Sequence, residues 1–206
     1  MTGQPSHNIC EVHSAFRTHN RGFTLIELMV VIIIAAILLT IAVPSFDSLI
    51  KRNNVDSLQS KLSSALSTAR TEAASRNKIV TICSSKNETN CTGSPAPVWN
   101  DGWVIFEDQN GNGSVDLPGD VLIDVYRNSG RYTIGSTGGQ NISFNAQGFM
   151  ASGSDRLLII CDPDKDAVYA RGLFVNKSGL VMKTKDTDSN GKHNNPTNTA
   201  ADLTCP

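Results

Sequence analysis

The chain has 206 residues, the size of one domain or of one domain with an appendage. Its net charge of -1 at pH 7 excludes a strongly basic protein that coats nucleic acid. Hydrophobic residues make up 39% of the chain, beside 16 glycines, and this ordinary share argues against both a wholly disordered chain and a polytopic membrane protein. The five cysteines are an odd number, which leaves one without an intramolecular partner.

The apolar residues are concentrated in one N-terminal segment. Between Phe23 and Phe46, 19 of 24 residues are apolar. A helix of this length crosses a hydrocarbon core of about 30 Å. Arg17, His19 and Arg21 precede the segment, and positive charge there keeps the N-terminus in the cytoplasm. The sequence therefore predicts one membrane anchor, with the rest of the chain on the far side of the membrane.

A secretory signal peptide is the alternative for this segment. Its apolar region would span about 7–15 residues and would end at a cleavage site of small residues. The run here is longer, and Pro44 interrupts the small residues at 42–45. We therefore favour an anchor that stays in the protein.

Glu27 is the one charged residue in the apolar segment. A carboxylate in lipid is costly, so an acidic residue at this depth indicates a function. The alternative is a carboxylate at the membrane interface, stabilised by the dipole at the helix N-terminus. The residue alone does not separate these two interpretations.

The neighbours of Glu27 stand in a fixed order, Arg21-Gly22-Phe23-Thr24-Leu25-Ile26-Glu27-Leu28. This order resembles the class III signal of type IV pilins and type II secretion pseudopilins. The resemblance implies that a prepilin peptidase cuts after Gly22 and methylates the new N-terminus at Phe23. Glu27 would then be the fifth mature residue, and Pro44 lies where many pilins have a helix-bending proline.

The chemistry of Glu27 fits assembly into a filament. In apolar surroundings its carboxylate would seek the free amine of Phe23 on a neighbouring subunit. Such a pair would set the axial register between subunits, which is a hypothesis about specificity. Cleavage after Gly22 creates that amine, and Pro44 removes a backbone donor and would loosen the turn before it.

Beyond Pro44 the uniform apolar run becomes a periodic pattern. Apolar residues recur at steps of three and four, at Val55, Leu58, Leu62, Ala65, Leu66, Ala69 and Ala73. This spacing predicts one long helix from about Phe23 to about Arg76, whose second half packs a single stripe on a globular head. A free coiled coil is the competing interpretation, but the stretch is short and rich in alanine.

From Ile79 onward the pattern is typical of β-strands. The candidate strands are residues 79–84, 103–107, 121–127, 141–144, 156–161, 172–176 and 180–185. Asn-Gly, Ser-Gly and Gly-Gly turn signals separate them. A long helix followed by an antiparallel sheet predicts an α+β protein.

Three segments of the head, residues 101–113, 142–148 and 172–179, resemble the GspH/FimT group of minor pilins and pseudopilins. The resemblance implies the pilin fold, a long N-terminal helix packed on an antiparallel β-sheet head. It divides the chain into a cleaved leader (1–22), a transmembrane or filament-core helix (23–46), an amphipathic helix half (47–77), the β-rich head (78–185) and a polar tail (186–206).

The cysteines fit this division. Cys10 would leave with the leader, and Cys83, Cys91, Cys161 and Cys205 remain on the oxidising side of the membrane. Four cysteines allow three pairings. We favour Cys83 with Cys91, which closes a polar loop, and Cys161 with Cys205, which tethers the tail. Zinc is the alternative, but no pair has Cys-x-x-Cys spacing.

Asp108, Asn110, Asn112 and Asp116 have the spacing of oxygen ligands at the front of a calcium loop. The twelfth position is Gly119 and lacks the bidentate glutamate of such loops. A β-hairpin turn is the alternative, since Asn-Gly favours it. We expect a turn and no resident cofactor. Residues 186–197 have a similar pattern, which we interpret as a solvated tail.

Catalysis has little support in the sequence, and we expect no enzyme. His193 is the only histidine beyond the leader, and the pattern around it predicts a solvent-facing side chain in the tail. No nucleophile or fixed partner accompanies it.

DNA binding is a weaker possibility. Some FimT-type minor pilins bind DNA during natural transformation through an arginine-rich C-terminal motif of the Gly-Arg-x-Arg kind, which this chain lacks. Arg171, Lys177, Lys183 and Lys185 are the candidate phosphate contacts here. We treat DNA as an improbable partner unless these lysines cluster on one face, because the chain has no excess of positive charge.

Together these patterns predict a structural protein. The first hypothesis is a minor pilin that assembles in the priming or tip complex of a type IV pilus. The alternative is a GspH-like minor pseudopilin of a type II secretion system. Either role implies the prepilin peptidase, other pilins or pseudopilins and inner-membrane lipid as partners. The chain would lie in the inner membrane with its N-terminus cytoplasmic and its head periplasmic, and would then enter a filament.

Overall fold

The computed structural model describes residues 22–92, 99–128, 131–151 and 154–206, without the side chains at 43, 44, 199 and 200. The elements are helix α1 (Leu25–Arg76) and strands β1 (Val80–Ser84), β2 (Gly102–Glu107), β3 (Val121–Arg127), β4 (Thr133–Ser136), β5 (Asn141–Phe144), β6 (Arg156–Cys161), β7 (Arg171–Val175), β8 (Val181–Lys183), β9 (Asn194–Asn195) and β10 (Asn198–Asp202). The chain divides into two compact units, Met1–Ser45 and Phe46–Pro206.

The described part of the first unit is the N-terminal part of α1. The helix begins after Thr24, whose Oγ1 accepts a hydrogen bond from the Glu27 backbone N–H at 3.2 Å. The Thr24 carbonyl accepts the next bond, from the Leu28 N–H at 3.1 Å. The spacing Thr24-x-x-Glu27 is that of a capping box, in which the hydroxyl satisfies an amide that the helix cannot pair internally.

The second unit is held together by the apolar stripe of α1. Its seven members are all buried, as the periodicity predicts: Val55, Leu58, Leu62, Ala65, Leu66, Ala69 and Ala73. They share one core cluster with residues from two sheets, among them Ile82, Trp103, Leu158 and Val175. The amphipathic half of α1 therefore packs on the head and is not a free coiled coil.

Two four-stranded antiparallel sheets build the head, where the sequence predicts a single sheet. One has the strand order β3-β2-β1-β5 and the other the order β4-β6-β7-β8. Alternate residues of each strand face opposite sides of its sheet. One face of each sheet contributes to the core with α1.

The opposite face of each sheet carries a small apolar cluster that contains a disulfide. On the first sheet, Cys83 lies with Val104 and Phe106 against Cys91. Cys83 and Cys91 are bonded, with Cα atoms 5.6 Å apart. These are the partners that the sequence analysis favours.

The second sheet follows the same plan. Cys161 is bonded to Cys205, with Cα atoms 5.9 Å apart. Leu203 joins Cys161 and Phe174 in the cluster, so the C-terminal segment covers this face.

The tail is more ordered than its composition predicts. β9 and β10 pair as an antiparallel hairpin with an irregular register. Asn194 and Leu203 are buried, and the Asn194 N–H bonds the Lys185 carbonyl at 2.9 Å. The tail is ordered by its backbone hydrogen bonds and by the buried side chain of Leu203. Its polar composition predicted only contact with solvent.

The predicted strands lie where the structure has them, with end shifts of one or two residues. β4 is absent from the prediction because Gly135 and Ser136 interrupt its apolar pattern. β9 and β10 are absent for the same reason, since asparagine and threonine dominate them. The helix begins at Leu25, two residues after the predicted start.

The two disulfides should contribute unequally to stability. The Cys161–Cys205 bond has a sequence separation of 44 and the Cys83–Cys91 bond a separation of 8. In the chain-entropy account, removal of the first bond frees the unfolded chain and lowers its free energy by about 4 kcal/mol. Removal of the second lowers it by about 2.5 kcal/mol. Denaturant unfolding of the solubilised chain should therefore show the larger loss for Cys161→Ala with Cys205→Ala than for Cys83→Ala with Cys91→Ala. Equal losses would contradict this ranking.

Candidate functional site

The N-terminal segment is the first candidate site. Gly22 and Phe23 precede α1 without helical structure, and Phe23 is 83% exposed. Residues 1–21, which include the predicted leader and Cys10, lie outside the described residues.

Large apolar side chains are exposed along the same segment. Leu25, Ile33 and Ile41 are 77%, 56% and 70% exposed, and the described residues bury no part of the most apolar window of the helix. Among the described residues, α1 is the one helix long and apolar enough to cross a membrane. A soluble protein would bury such a face, so its exposure indicates lipid or another protein as its surroundings.

Glu27 stands on this exposed face. Its backbone N–H is satisfied by Thr24, but no ion pair or hydrogen bond reaches its carboxylate from the described part of the chain. A lone carboxylate among apolar side chains needs a cation from another molecule once water is excluded. α1 continues through position 44, and the side chain of Pro44 is among those not described.

Sequence reasoning missed the role of Thr24. The Thr-x-x-Glu spacing was available as a signal for a helix N-terminus. Thr24 caps the start of the helix, and its bond to the Glu27 N–H places the Glu27 carboxylate in the first turn.

The four calcium candidates come together, but as a hydrogen-bonded turn. Asp116 Oδ2 accepts from the side-chain amides of Asn110 at 3.0 Å and Asn112 at 2.6 Å. Those two bonds lower the pKa of Asp116. Asp108 is buried and accepts from the N–H of Gly113 at 2.9 Å and from the Thr81 hydroxyl at 2.9 Å.

Other side-chain oxygens of that loop also accept hydrogen bonds. Asn110 Oδ1 and Asn112 Oδ1 accept backbone N–H groups two residues ahead, at 3.1 and 2.8 Å. Asp120, which the sequence analysis did not single out, is buried and accepts from the N–H groups of Gln109 and Asp116. In this geometry the carboxylates and amides hold a turn by serving backbone donors, as Asx turns do.

The four candidate phosphate contacts do not form one open basic surface. Arg171 Nε pairs with Asp56 of α1 at 2.9 Å, and its side chain is only 11% exposed. Lys183 Nζ donates to Ser60 on the same helix at 3.1 Å. Lys177 and Lys185 are exposed at opposite ends of β8. Two of the four thus serve the contact between head and helix.

His193 differs from its prediction as a solvent-facing side chain. It is half-buried, and its Nδ1 lies 3.0 Å from Thr184 Oγ1. Burial lowers the pKa of His193, and the charge of Arg171 acts in the same direction against smaller opposing effects of Asp56 and Asp186. The imidazole is a structural link between the tail hairpin and the end of β8.

A family model for the type II transport protein GspH matches residues 59–179. That span is more than half of the chain and includes most of the stripe and seven of the strands. The chain belongs to the GspH family. A second model, the prokaryotic N-terminal methylation motif, matches residues 17–43 and so contains Gly22, Phe23 and Glu27. The N-terminal methylation motif and the GspH head thus occur in the same chain.

Solved structures agree on the fold. Two crystal structures of the type IV minor pilin FimU from Pseudomonas aeruginosa match, at 19% and 23% identity. They cover 63% and 64% of this chain and 92% and 88% of their own, with TM-scores of 0.50 and 0.49. At this identity the first likeness shows the fold, one helix packed on antiparallel sheets. No curated protein matches the chain.

The His193 environment predicts a pH dependence of stability. Because the folded pKa lies below the ordinary value of 6.5, the unfolded chain binds the proton more readily, and stability falls as the pH drops through about 6.5. The melting temperature of the solubilised chain should therefore fall between pH 7.5 and pH 5.5. The decrease should be smaller in His193→Asn, which keeps a polar group near Thr184 but does not titrate. Identical decreases in both proteins would contradict the assignment.

Proposed function

We propose that this chain is a minor pilin, an assembly subunit of a type IV pilus that is made as a prepilin. The observation that carries the proposal is the methylation motif at the start of an exposed apolar helix. The peptidase cuts after Gly22 and methylates Phe23. α1 then anchors the chain in the inner membrane, with the head in the periplasm, until the subunit enters the filament. Its partners are that peptidase, lipid and other pilins.

The exposed face of α1 fits two successive surroundings, first the membrane and then the filament. In the membrane, lipid covers the apolar side chains between Leu25 and Ile41. In a filament, the equivalent helices of other subunits replace lipid at little cost, since both surroundings are apolar. The head needs no such replacement, because its own core is complete around the stripe.

Glu27 gives the assembly its register. A carboxylate that leaves the headgroup region for a filament core loses hydration and needs a cation. The amine of Phe23, created by cleavage, is the cation that another copy of the same segment or a related pilin carries. The pair forms at one axial position, so it selects that position against shifted ones.

A structural argument favours the pilus over secretion. FimU, the protein whose fold this head resembles, is a type IV minor pilin. The alternative is a minor pseudopilin of a type II secretion system, which the name of the matching family favours. A receptor for DNA is the least favoured role, because Arg171 is paired with Asp56 and the candidate lysines do not form one open basic surface.

Processing is tested by mass spectrometry of the protein isolated from its native membrane. The mature chain should begin at a methylated Phe23 and should contain two disulfides and no free thiol, because Cys10 departs with the leader. The variant Gly22→Leu should keep the leader, since a branched side chain obstructs the bond that is cut. A wild-type chain that retains residues 1–22 would refute the proposal.

Register is tested by Glu27→Gln. The variant keeps the size of the side chain and removes its charge, so it should reach the membrane and be cleaved, but its recovery in sheared filaments should fall at least tenfold. Glu72→Gln is the matched control on the same helix, because Glu72 forms only a surface pair with Arg76 at 2.6 Å. Equal recovery of the two variants would argue against the amine pair.

Deletion separates the two filament systems. Loss of surface pili and of twitching motility, with protein export intact, supports the minor pilin. Loss of exported enzymes with intact pili supports the pseudopilin and overturns the first proposal. Complementation with the wild-type gene is the control for either result.

A further inference from the structure

Strand β8 is an open edge of the second sheet. The sheet has the order β4-β6-β7-β8, so β8 pairs only with β7. Backbone bonds from Thr184 N–H to the Gly172 carbonyl (2.9 Å) and from Asn176 N–H to the Leu180 carbonyl (3.2 Å) fix which pairs are bonded. In an antiparallel ladder the bonded pairs alternate, so Val181 and Lys183 turn their N–H and C=O groups away from β7.

Those outward backbone groups have no partner among the described residues. An edge of this kind is a template for another strand, and proteins usually protect it. β3, the edge of the first sheet, is protected at one point, because the outward N–H of Val125 bonds Asp124 Oδ1 at 2.9 Å. On the β8 side, the outward Lys185 carbonyl just beyond the strand is covered by the Asn194 N–H at 2.9 Å, whereas Val181 and Lys183 stay open.

An apolar groove lies beside this edge. It has a volume of about 240 Å³ and lies between Phe174 and Met182 on one side and Thr187 and Pro196 of the tail on the other. Leu180 and Met182, two residues apart on one face of the hairpin, are 47% and 39% exposed. A strand that added to β8 would bury its apolar side chains against this face.

Two lysines accompany the groove. Among the described residues, Lys183 and Lys185 are the only ionisable ones in its lining. Lys183 lies on the side of α1, where its amine meets the neutral hydroxyl of Ser60. Neither lysine has an ion pair with the described residues, and the nearby Asp186 is turned to the Gly191 N–H at 2.9 Å.

We propose that β8 receives an extended segment of a neighbouring filament subunit, one that alternates apolar residues with carboxylates. Main-chain bonds to Val181 and Lys183 supply the affinity. The apolar side chains enter the groove at Met182, and the carboxylates face Lys183. The period of two in the partner follows from the two unlike faces of β8. Naming a filament subunit as the source rests on the proposed function, whereas the chemistry of the segment does not.

The test uses the full chain in detergent and a blocked, fluorescent hexapeptide, Glu-Val-Glu-Leu-Glu-Val. Fluorescence anisotropy should show binding to the wild type. Lys183→Pro removes one outward N–H, which a solvent-facing edge tolerates, and should weaken binding at least tenfold. Lys183→Ala keeps the N–H and should weaken it about threefold. Val125→Pro makes the same change on β3 and should leave binding unchanged.

Charge is tested separately, so that a misfolded proline variant cannot decide the outcome. The double variant Lys183→Glu with Lys185→Glu should bind the acidic peptide at least tenfold more weakly than the wild type. It should instead bind the basic counterpart Lys-Val-Lys-Leu-Lys-Val. A shuffled peptide, Glu-Glu-Glu-Val-Leu-Val, should bind at least tenfold more weakly. Equal binding of the ordered and shuffled peptides, or no binding of either, would overturn the inference.

The source of the segment is tested in cells with a photoreactive residue at position 182 of the full chain. A cross-link to a strand-forming, acidic segment of a filament subunit supports the inference. A cross-link to a helix, to lipid or to nucleic acid overturns it. If the chain enters filaments normally but neither peptide nor cross-link is found, the inference fails while the proposed function stands.

Discussion

The central constraint is an apolar helix face that the described part of the chain leaves uncovered. Side chains along the first half of α1 are exposed, and one carboxylate, Glu27, stands among them without a partner in the described residues. The hydrophobic effect requires lipid or protein over the apolar atoms, and the carboxylate then requires a cation. The N-terminal methylation motif matches the segment that carries this face, at residues 17–43.

The head, in contrast, covers its own apolar residues. The stripe of α1 forms one core with both sheets, and each outer face carries an apolar cluster with a disulfide. Polar bonds reinforce this arrangement, as in the bond from buried Gln59 Nε2 to the Gly172 carbonyl at 2.9 Å. A head that is held together in this way can keep its surface, including the edge at β8, in one arrangement.

Much of this was predictable from the sequence. The stripe from Val55 to Ala73 followed from periodicity, and most strands followed from turn signals. The favoured cysteine partners, one of three possible pairings, followed from the polar loop and the tail that the bonds would close. The second sheet did not, because strand pairing depends on contacts far apart in the chain and β4 has a weak apolar pattern. The disulfide that tethers the tail was predicted, but the tail hairpin was missed, since its order comes from backbone pairing and one buried leucine, Leu203.

The candidate sites show the same division. Glu27 was noticed because a charge in an apolar run is conspicuous, and its assembly role stays a prediction, while Thr24 was missed because its contribution is a bond to the backbone. His193 and Arg171 seemed free in the sequence, yet three-dimensional packing brings them to Thr184 and Asp56. Side-chain identity thus predicted what a residue can do, and packing determined whether it remains available.

The most direct test of the account is a photoreactive residue at Ile33, in the middle of the exposed apolar face, in the native bacterium. The account predicts that irradiated filaments yield cross-links between this position and the N-terminal helix of another pilin, while chains still in the membrane yield only lipid adducts. A chain that is absent from filaments, with lipid adducts alone at Ile33, would contradict it.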